Sequence, residues 1–453
     1  MEVIENVNNL INDIVWGPYM LVLLVGTGIY FSIRTGFIQV SKISVWWKGT
    51  FGQLFKKQEK HEDSNISPFQ AVSTALASTV GTGNIAGVAT AIFAGGPGAV
   101  FWMWISGFFG MVTKYAEVVL AVKYRETDEK GAYHGGPMYY ITNGLGPKMK
   151  WLAIIFAIFG TLATFGIGNM TQANAIASSL NQSFGIPVIV VGIAIAVIVA
   201  LVIIGGIKRI ASVTEKLVPF MAVFYVIGSI IIVLWNLPKL PSAFGAIFAG
   251  AFASPKAPLG GVAGYVMMRA MRYGIARGVF SNEAGLGSAP IAHAASRTKD
   301  PVQQGLWGIF EVFVDTIVIC TLTSLVVLTA GLFGGEVSGA PLVMASFSQH
   351  YGTFGGIFVS VGVLCFAGST LLGWSYYGQQ CLGYLTKNNK AWDLIYKIIF
   401  SLLTIVGAVG GLTLVWDIAD TLNGLMAIPN LIALLLLSKV VLTLTKEYMA
   451  KKI

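Results

Sequence analysis

Charge is what this sequence has least of: Asp, Glu, Lys and Arg together make up 11% of the residues, against roughly a quarter in a soluble domain. With 55% of the chain hydrophobic, an ordinary water-soluble globule is excluded. Cysteine is scarcer still. Cys320, Cys365 and Cys381 are the whole supply, all inside apolar runs, which excludes a disulfide framework and a zinc-ligand spacing. Histidine occurs four times. No His-Glu-x-x-His, Cys-His or Ser-His pairing falls inside an apolar run, so an intramembrane enzyme lacks its working parts. Met1 to Asp13 contains Glu2, Glu5 and Asp13 but no basic residue, and the first apolar run has no small-residue cleavage site, so a removable signal peptide is not expected.

What the chain has instead is a series of apolar runs, each able to supply the roughly 20 residues that cross a bilayer. Eleven are expected, at about 15–33, 68–93, 99–122, 151–180, 186–204, 213–235, 264–294, 305–330, 355–385, 396–415 and 418–437. Basic residues gather in alternate loops: Arg34, Lys42, Lys48, Lys56, Lys57 and Lys60 in the first, Lys123, Arg125, Lys130, Lys148 and Lys150 in another, and Lys439, Lys446, Lys451 and Lys452 in the tail. The opposite loops hold Lys239 and Lys256. Because positive loops stay in the cytoplasm, the N-terminus is expected outside and the C-terminus inside, in the cell membrane. The net charge of +9 is therefore a topology signal, and no nucleic-acid partner is expected. The outer connection includes an apolar piece, 244–252, too short to span.

Two spans are interrupted. Ser73 to Gly87 contains Val80-Gly81-Thr82-Gly83-Asn84, and Gly278 to Gly287 contains Phe280-Ser281-Asn282-Glu283-Ala284-Gly285. Non-helical backbone at membrane depth is tolerated only where it is buried in protein or lines a cavity, and paired breaks in two halves point to a secondary transporter's binding site. Runs two to six and seven to eleven are two sets of five, each opening with a break. Five is odd, so the sets enter from opposite sides: a five-plus-five inverted repeat. The expected division is 1–66 for an extra N-terminal helix and loop, 67–236 for the first repeat, 237–259 for the outer connection and 260–453 for the second repeat and tail.

A half-helix restarting in mid-membrane offers N–H groups and a positive dipole end, suited to a carboxylate. Gly81, Thr82 and Gly83 sit where those donors belong, while the carbonyls around Ala77, Thr79, Val80, Phe280 and Ser281 suit an ammonium group or Na⁺. An amino acid zwitterion fits both. In the ninth run Phe366, Ser369, Thr370 and Trp374 share a helical face, so two hydroxyls and the Phe366 carbonyl can complete an oxygen cage with Ala77 and Val80. Trp374 then takes up the room of a substrate side chain, which implies a small substrate. The fourth run adds Thr164, Phe165, Asn169, Thr171, Gln172 and Asn174, a polarity that suggests a face toward the cavity, with Phe165, Asn169 and Gln172 expected at the substrate. Packing is the competing explanation for small residues, and Gly83 with Gly87 also fits a small-xxx-small contact.

Charges inside the runs are functional candidates. Lys114 and Glu117, at i,i+3, are expected to neutralise each other, and Glu311 with Asp315, at i,i+4, forms a weaker pair. Arg272 or Arg277 with Asp420 can form an outer gate. Glu283 lies at the second break, where it can bind a substrate ammonium, attract a cation, carry a proton, or cap the N–H groups of the following half-helix. His293 is expected near the inner interface.

Gly95-Gly96-Pro97-Gly98-Ala99-Val100-Phe101-Trp102-Met103-Trp104 and Ser281-Asn282-Glu283-Ala284-Gly285-Leu286-Gly287-Ser288-Ala289 resemble the prokaryotic alanine or glycine:cation symporters, also called sodium:alanine symporters, over essentially the whole chain. That family is similar in fold to the LeuT-type transporters, whose Val-Gly-Leu-Gly-Asn break resembles residues 80–84. The resemblance implies an all-α polytopic membrane protein of eleven helices that couples Na⁺ to uptake of alanine or glycine by alternating access, with no cofactor and with membrane lipid as its surroundings. It implies one Na⁺ site of Ala77, Val80, Phe366, Ser369 and Thr370. Substrate contacts fall on Thr79, Thr82, Gly83, Phe280, Ser281 and Glu283, and Asn84 takes the position of a second ion ligand; Gly81 and Asn282, within the breaks themselves, are expected at the substrate as well. Glu283 departs from the wider fold, which has a hydroxyl there. Proton coupling through Glu283, and an ion channel, are the alternatives.

Overall fold

The computed structural model describes residues 2–54, 65–252, 262–410 and 413–452. Lys56, Lys57, Lys60 and Lys256 lie outside them. Within the described residues the chain is helical almost throughout, apart from one antiparallel hairpin pairing Glu126 with His134 and Thr127 with Tyr133. Among the described residues eight helices are long and apolar enough to cross a membrane, and the bent pair Pro68–Thr79 and Gly83–Gly95 brings the number to nine. The chain is an all-α, multi-pass membrane protein. Two of the expected spans fall short of that pattern for visible reasons. Val188–Ile203 is strongly apolar but only 16 residues long, and Val262–Asn282 is diluted by Arg269, Arg272 and Arg277.

The outside of the bundle is as apolar as its inside. On Val188–Ile203, Val190, Val197 and Leu201 are exposed while Val191, Ile195 and Val199 are buried, a helix apolar all round, as lipid contact demands. Polarity is concentrated in the interior. Lys114, Glu117, Glu283, His293, Glu311 and Asp315 are all buried, which a membrane protein tolerates only where these groups meet one another or a cavity.

The interior is organised by the two interrupted helices. The first starts at Pro68 behind a capping box, in which Ser67 Oγ accepts from the Gln70 amide and Gln70 reciprocates on the Ser67 amide. It runs to Thr79, breaks, resumes as a π-helical turn over Gly83–Gly87 and continues as Val88–Gly95, with a 50° bend. The second runs over Val262–Asn282, opens for seven residues, 283–289, and ends in the short helix Pro290–Ala294. Beside them lies the 34-residue helix Thr353–Thr386. Further π-helical stretches occupy Gly166–Met170 and Phe313–Cys320. Phe313–Cys320 packs against both broken helices and Gly166–Met170 against the Thr353–Thr386 helix, and such bulges favour functional sites. The apolar outer piece forms the helix Leu240–Phe252, which folds back on the Ala99–Lys123 helix; Phe248 meets the rings of Phe101 and Trp104.

Candidate functional site

At the first break the helix stops because Val80 leaves helical geometry and the Gly81 amide turns to Asn84 Oδ1, 2.9 Å away. Glycine is required at 81: a Cβ there would lie 2.5 Å from Thr370 Oγ1. This close approach brings together the expected ion ligands. Ser369 Oγ lies 3.0 Å from the Ala77 carbonyl and 2.8 Å from that of Phe366, and Thr370 Oγ1 lies 3.0 Å from the Phe366 carbonyl. Ala77, Phe366, Ser369 and Thr370 thus converge on one oxygen-rich point. Thr370 also reaches the Ser78 carbonyl, at 3.4 Å, a neighbour the sequence reading did not include, while Val80 is buried at the end of the half-helix. Neutral hydroxyl and carbonyl oxygens are the donors that suit a hard monovalent cation.

The second break is held differently. Glu283, Gly285 and Gly287 all have positive φ, at 57°, 90° and 84°, a region glycine enters freely and glutamate rarely does. Two amides freed by the break, those of Gly285 and Gly287, donate to Glu117 Oε1 at 3.1 and 3.0 Å, joined there by Asn430 Nδ2. Asn282 Oδ1 takes the Ala284 amide at 2.9 Å. Capping is therefore the work of Glu117, not of Glu283. The Glu283 carboxylate accepts instead from Trp374 Nε1 at 2.7 Å and Ser288 Oγ at 2.6 Å. Trp374 is thus more than a volume filler, since it ties the long helix to the acidic side chain of the second break. It also packs so closely on Gly168 that a Cβ there would fall 2.4 Å from its own.

A third acidic group joins the two breaks. Asp315 accepts from Asn84 Nδ2 at 2.6 Å on one side and from Ser281 Oγ at 2.9 Å on the other, and Thr316 Oγ1 donates to it at 2.8 Å. Glu311, the other candidate carboxylate one turn away, turns instead to Lys114 and His293. Asn84 spends its oxygen on Gly81 and its amide on Asp315, so the position expected to ligate a second ion is occupied by hydrogen bonds, and the carboxylate lies one residue further out. Asn282 Nδ2 donates to Thr316 at 3.0 Å.

From one side a cavity of ≈290 Å³ leads down to the first break, with Thr82 and Phe280 at its floor and Arg277 and Asp420 at its mouth. The Arg277–Asp420 contact is 3.8 Å, and the Arg277 guanidinium sits 5.3 Å from the Phe280 ring centre. Arg272 turns to Asp13 instead, at 2.8 Å. The Thr82 hydroxyl is buried with no hydrogen-bond partner among the described residues, aimed where a ligand would have to be. Thr79 Oγ1 folds back on the Ala75 carbonyl. A Cβ on Gly83 would lie 3.1 Å from Ser281 Cα, so the two breaks touch.

Of the polar residues expected to face the cavity from the fourth run, Thr171 lines it, joined by the apolar Ile167. Asn169 instead donates to the Phe400 carbonyl at 2.6 Å, Gln172 to that of Ile167 at 2.9 Å, and Phe165 tilts against Tyr396. The π-helical turn over Gly166–Met170 rotates the face relative to a plain α-helix, which heptad-like counting cannot detect.

The remaining charges pair between helices. Lys114 reaches Glu311 at 3.3 Å, not Glu117. His293 is fully buried instead of interfacial, 2.9 Å from Glu311 through Nε2 and 2.9 Å from Gln304 through Nδ1. Gln304 continues to Ser296, whose carbonyl accepts from Arg125. This chain of contacts fixes the short half of the second broken helix to the Ala99–Lys123 and Pro301–Val312 helices, on the side away from the cavity.

A membrane bundle whose two interrupted helices meet over buried oxygens and carboxylates, reached by a cavity from one side, defines a secondary active transporter. The whole chain, residues 1–453, matches the sodium:alanine symporter family, and it belongs to that family. It is 50% identical over 448 residues to the sodium/alanine symporter AgcS of Methanococcus maripaludis, covering 97% of this chain and 96% of the relative. An uncharacterized transporter of Haemophilus influenzae is 48% identical over 448 residues, covering 98% and 96%. In fold the chain is similar to MhsT, solved in complex with L-phenylalanine: TM-score 0.62 at 15% identity, covering 83% of this chain and 90% of that one. The protein is a transporter of the LeuT-like fold and not an enzyme, and its family moves small neutral amino acids of the alanine type with Na⁺ as the coupling ion.

Proposed function

We propose that this chain takes up alanine or glycine with Na⁺, both seated where the two broken helices meet, and exchanges access between the membrane's two sides by moving one five-helix repeat against the other. The supporting observation is the convergence of the Ala77 and Phe366 carbonyls with the Ser369 and Thr370 hydroxyls against the first break, on the same helix whose Trp374 holds Glu283 of the second. Na⁺ sits among those oxygens, with Val80 completing the set. The substrate carboxylate lies at the restart of the first broken helix, beside the unpartnered Thr82 hydroxyl and Gly83, because Gly81 already gives its amide to Asn84. The ammonium lies toward the Phe280 and Ser281 carbonyls and Glu283. Thr79 and Asn282 support the site; Phe165, Asn169 and Gln172 stand behind it.

Three buried carboxylates, Glu117, Glu283 and Asp315, meet only neutral hydrogen-bond donors among the described residues, and Glu117 is engaged in capping, which leaves Glu283 and Asp315 at the site. An ionised carboxylate in such surroundings is costly without a countercharge. Glu283 finds one in the substrate ammonium. Asp315, together with the Ser281 hydroxyl, takes a second cation, while Asn84 holds the carboxylate in place. The same observation favours a second reading, in which Glu283 or Asp315 carries a proton and couples transport to H⁺.

The topology follows the charge pattern. Val188–Ile203 and the second broken helix join the nine apolar spans to make eleven crossings, with 67–236 and 260–453 as inverted repeats, 1–66 as an added helix and loop, the N-terminus outside and the C-terminus in the cytoplasm of the cell membrane. One charge falling through 100 mV releases about 2.3 kcal/mol, which by itself supports roughly fiftyfold accumulation. Uptake of labelled alanine into proteoliposomes tests the reading. An inward Na⁺ gradient should drive accumulation in the wild type and fail in Thr370→Ala. Accumulation driven by a proton gradient alone would transfer coupling to the carboxylates.

A further inference from the structure

The positive-inside pattern has one local exception. Arg269 and Arg272 sit at i,i+3 on the half of the second broken helix furthest from the basic loops, beside a groove that plays no part in the transport site. The groove, of ≈660 Å³, runs between Val262–Asn282 and the added N-terminal helix Pro18–Arg34, and Leu21, Val25, Ile29, Met268 and Ile275 form its apolar walls. Its outward faces are open, with Val22 72% and Met268 57% exposed. From Pro18 to Ile29 the groove follows twelve residues of helix, whose ends lie about 16 Å apart at ~1.5 Å per residue, or roughly half of a ~30 Å hydrocarbon core. It is one leaflet deep.

We propose that this groove is a binding site for one phospholipid with an anionic headgroup, an acyl chain along the apolar walls and the headgroup phosphate on Arg269 and Arg272. The groove commits to a lipid because its length matches one leaflet and its walls are apolar, and to an anionic one because of the charge at its mouth. Arg269 lies between the rings of Tyr265 and Tyr273, 5.8 and 5.9 Å from their centres. No carboxylate pairs with it among the described residues, so its N–H edges are free to meet a phosphate in the bidentate manner that arginine favours. Arg272 shares its charge with Asp13. The mouth therefore presents two positive groups against one negative, a surplus of one. The tyrosines and Trp102 stand at the level where aromatic side chains meet headgroups. The lipid bridges the added helix to the second repeat's broken helix, which gives the added helix a task.

The test is competition between lipids on the full-length purified protein. Native mass spectrometry is run after exchange into detergent with equal amounts of phosphatidylglycerol and phosphatidylcholine of the same acyl chains. One surplus charge corresponds to a preference of about fivefold for phosphatidylglycerol. Arg269→Gln should bring the ratio close to one, Asp13→Asn should raise it about fivefold further, and Val22→Trp should reduce retention of both lipids. Equal retention by the wild type would overturn the proposal even if a variant failed to fold. So would an unchanged preference in Arg269→Gln that still performs Na⁺-driven alanine uptake in phosphatidylcholine vesicles, a readout that also shows whether the variant is folded.

Discussion

The first break occupies residues 80–82 and is closed by its own chain, because Asn84, three residues on, takes the Gly81 amide. The second occupies seven residues, holds three of them at positive φ, and depends for its capping on Glu117, a carboxylate from another helix. A self-capped break keeps its shape when neighbouring helices shift. An externally capped one can move only together with the helix that caps it, here Ala99–Lys123, or else must release its bonds. The two also differ in what they bring to the site: the first offers hydroxyls and carbonyls, and the second a carboxylate. A zwitterion with a cation needs both kinds of surface, so on the proposed reading the asymmetry between the two breaks serves recognition.

The largest effect should come from removing the external cap. Glu117→Ala leaves two backbone amides and the Asn430 amide without their acceptor, at about 1–3 kcal/mol each. The thermal midpoint in detergent should therefore fall sharply and transport should vanish, while Glu117→Gln, which keeps an acceptor oxygen, recovers part of both. Asn84→Ala, the matching change at the self-capped break, should cost less in stability. Equal losses would abolish the distinction between the breaks.

Next comes Gly81→Ala. Its Cβ would fall 2.5 Å from Thr370 Oγ1, so the apparent Na⁺ affinity should drop at least about tenfold, equivalent to ~1.4 kcal/mol, in a Na⁺ titration of alanine uptake. Trp374→Phe keeps most of the ring volume but removes the N–H on Glu283. A hydrogen bond to a charged group contributes about 1.5–3 kcal/mol, which predicts a tenfold or greater loss in kcat/KM for alanine with the size preference unchanged. Trp374→Ala should lose that bond as well and in addition admit bulkier side chains in competition assays. Smallest is the outer pair. Arg277 and Asp420 are partly exposed and 3.8 Å apart, so a double-mutant cycle of Arg277→Gln with Asp420→Asn on alanine KM should give a coupling of about 0.2–1 kcal/mol.

The breaks themselves were legible because Gly-Thr-Gly-Asn and Asn-Glu-Ala-Gly stand out in apolar runs, and Ser369 with Thr370 because helical spacing puts both hydroxyls on one face. Charge partners were not legible. Neighbour rules along a helix join Lys114 to Glu117, yet Lys114 reaches Glu311 and Glu117 caps the second break, each partner lying off their shared helix. In a low-dielectric interior the decisive neighbour is the one that packing brings within 3 Å, and sequence spacing holds no record of it. His293 was misplaced for the same reason, since the Glu311 and Gln304 that bury it lie on the Pro301–Val312 helix. Thr171 was legible as part of the fourth run's polar face, whereas the cavity-lining role of Ile167 was hidden by the π-helical turn in which it lies. One local signal was readable and went unused: Ser67-x-x-Gln70 ahead of an apolar run is a capping box, and it marks the start of the first broken helix.

The central claim is that Na⁺ and the amino acid meet where the two breaks touch, and equilibrium binding of labelled alanine to the purified protein as a function of Na⁺ tests it most directly. Binding should rise from near zero to saturation with Na⁺, should not be supported by K⁺, and should shift to at least about tenfold higher Na⁺ in Ser369→Ala/Thr370→Ala. Alanine binding that ignores Na⁺, or a double variant with the wild-type Na⁺ curve, would contradict the account.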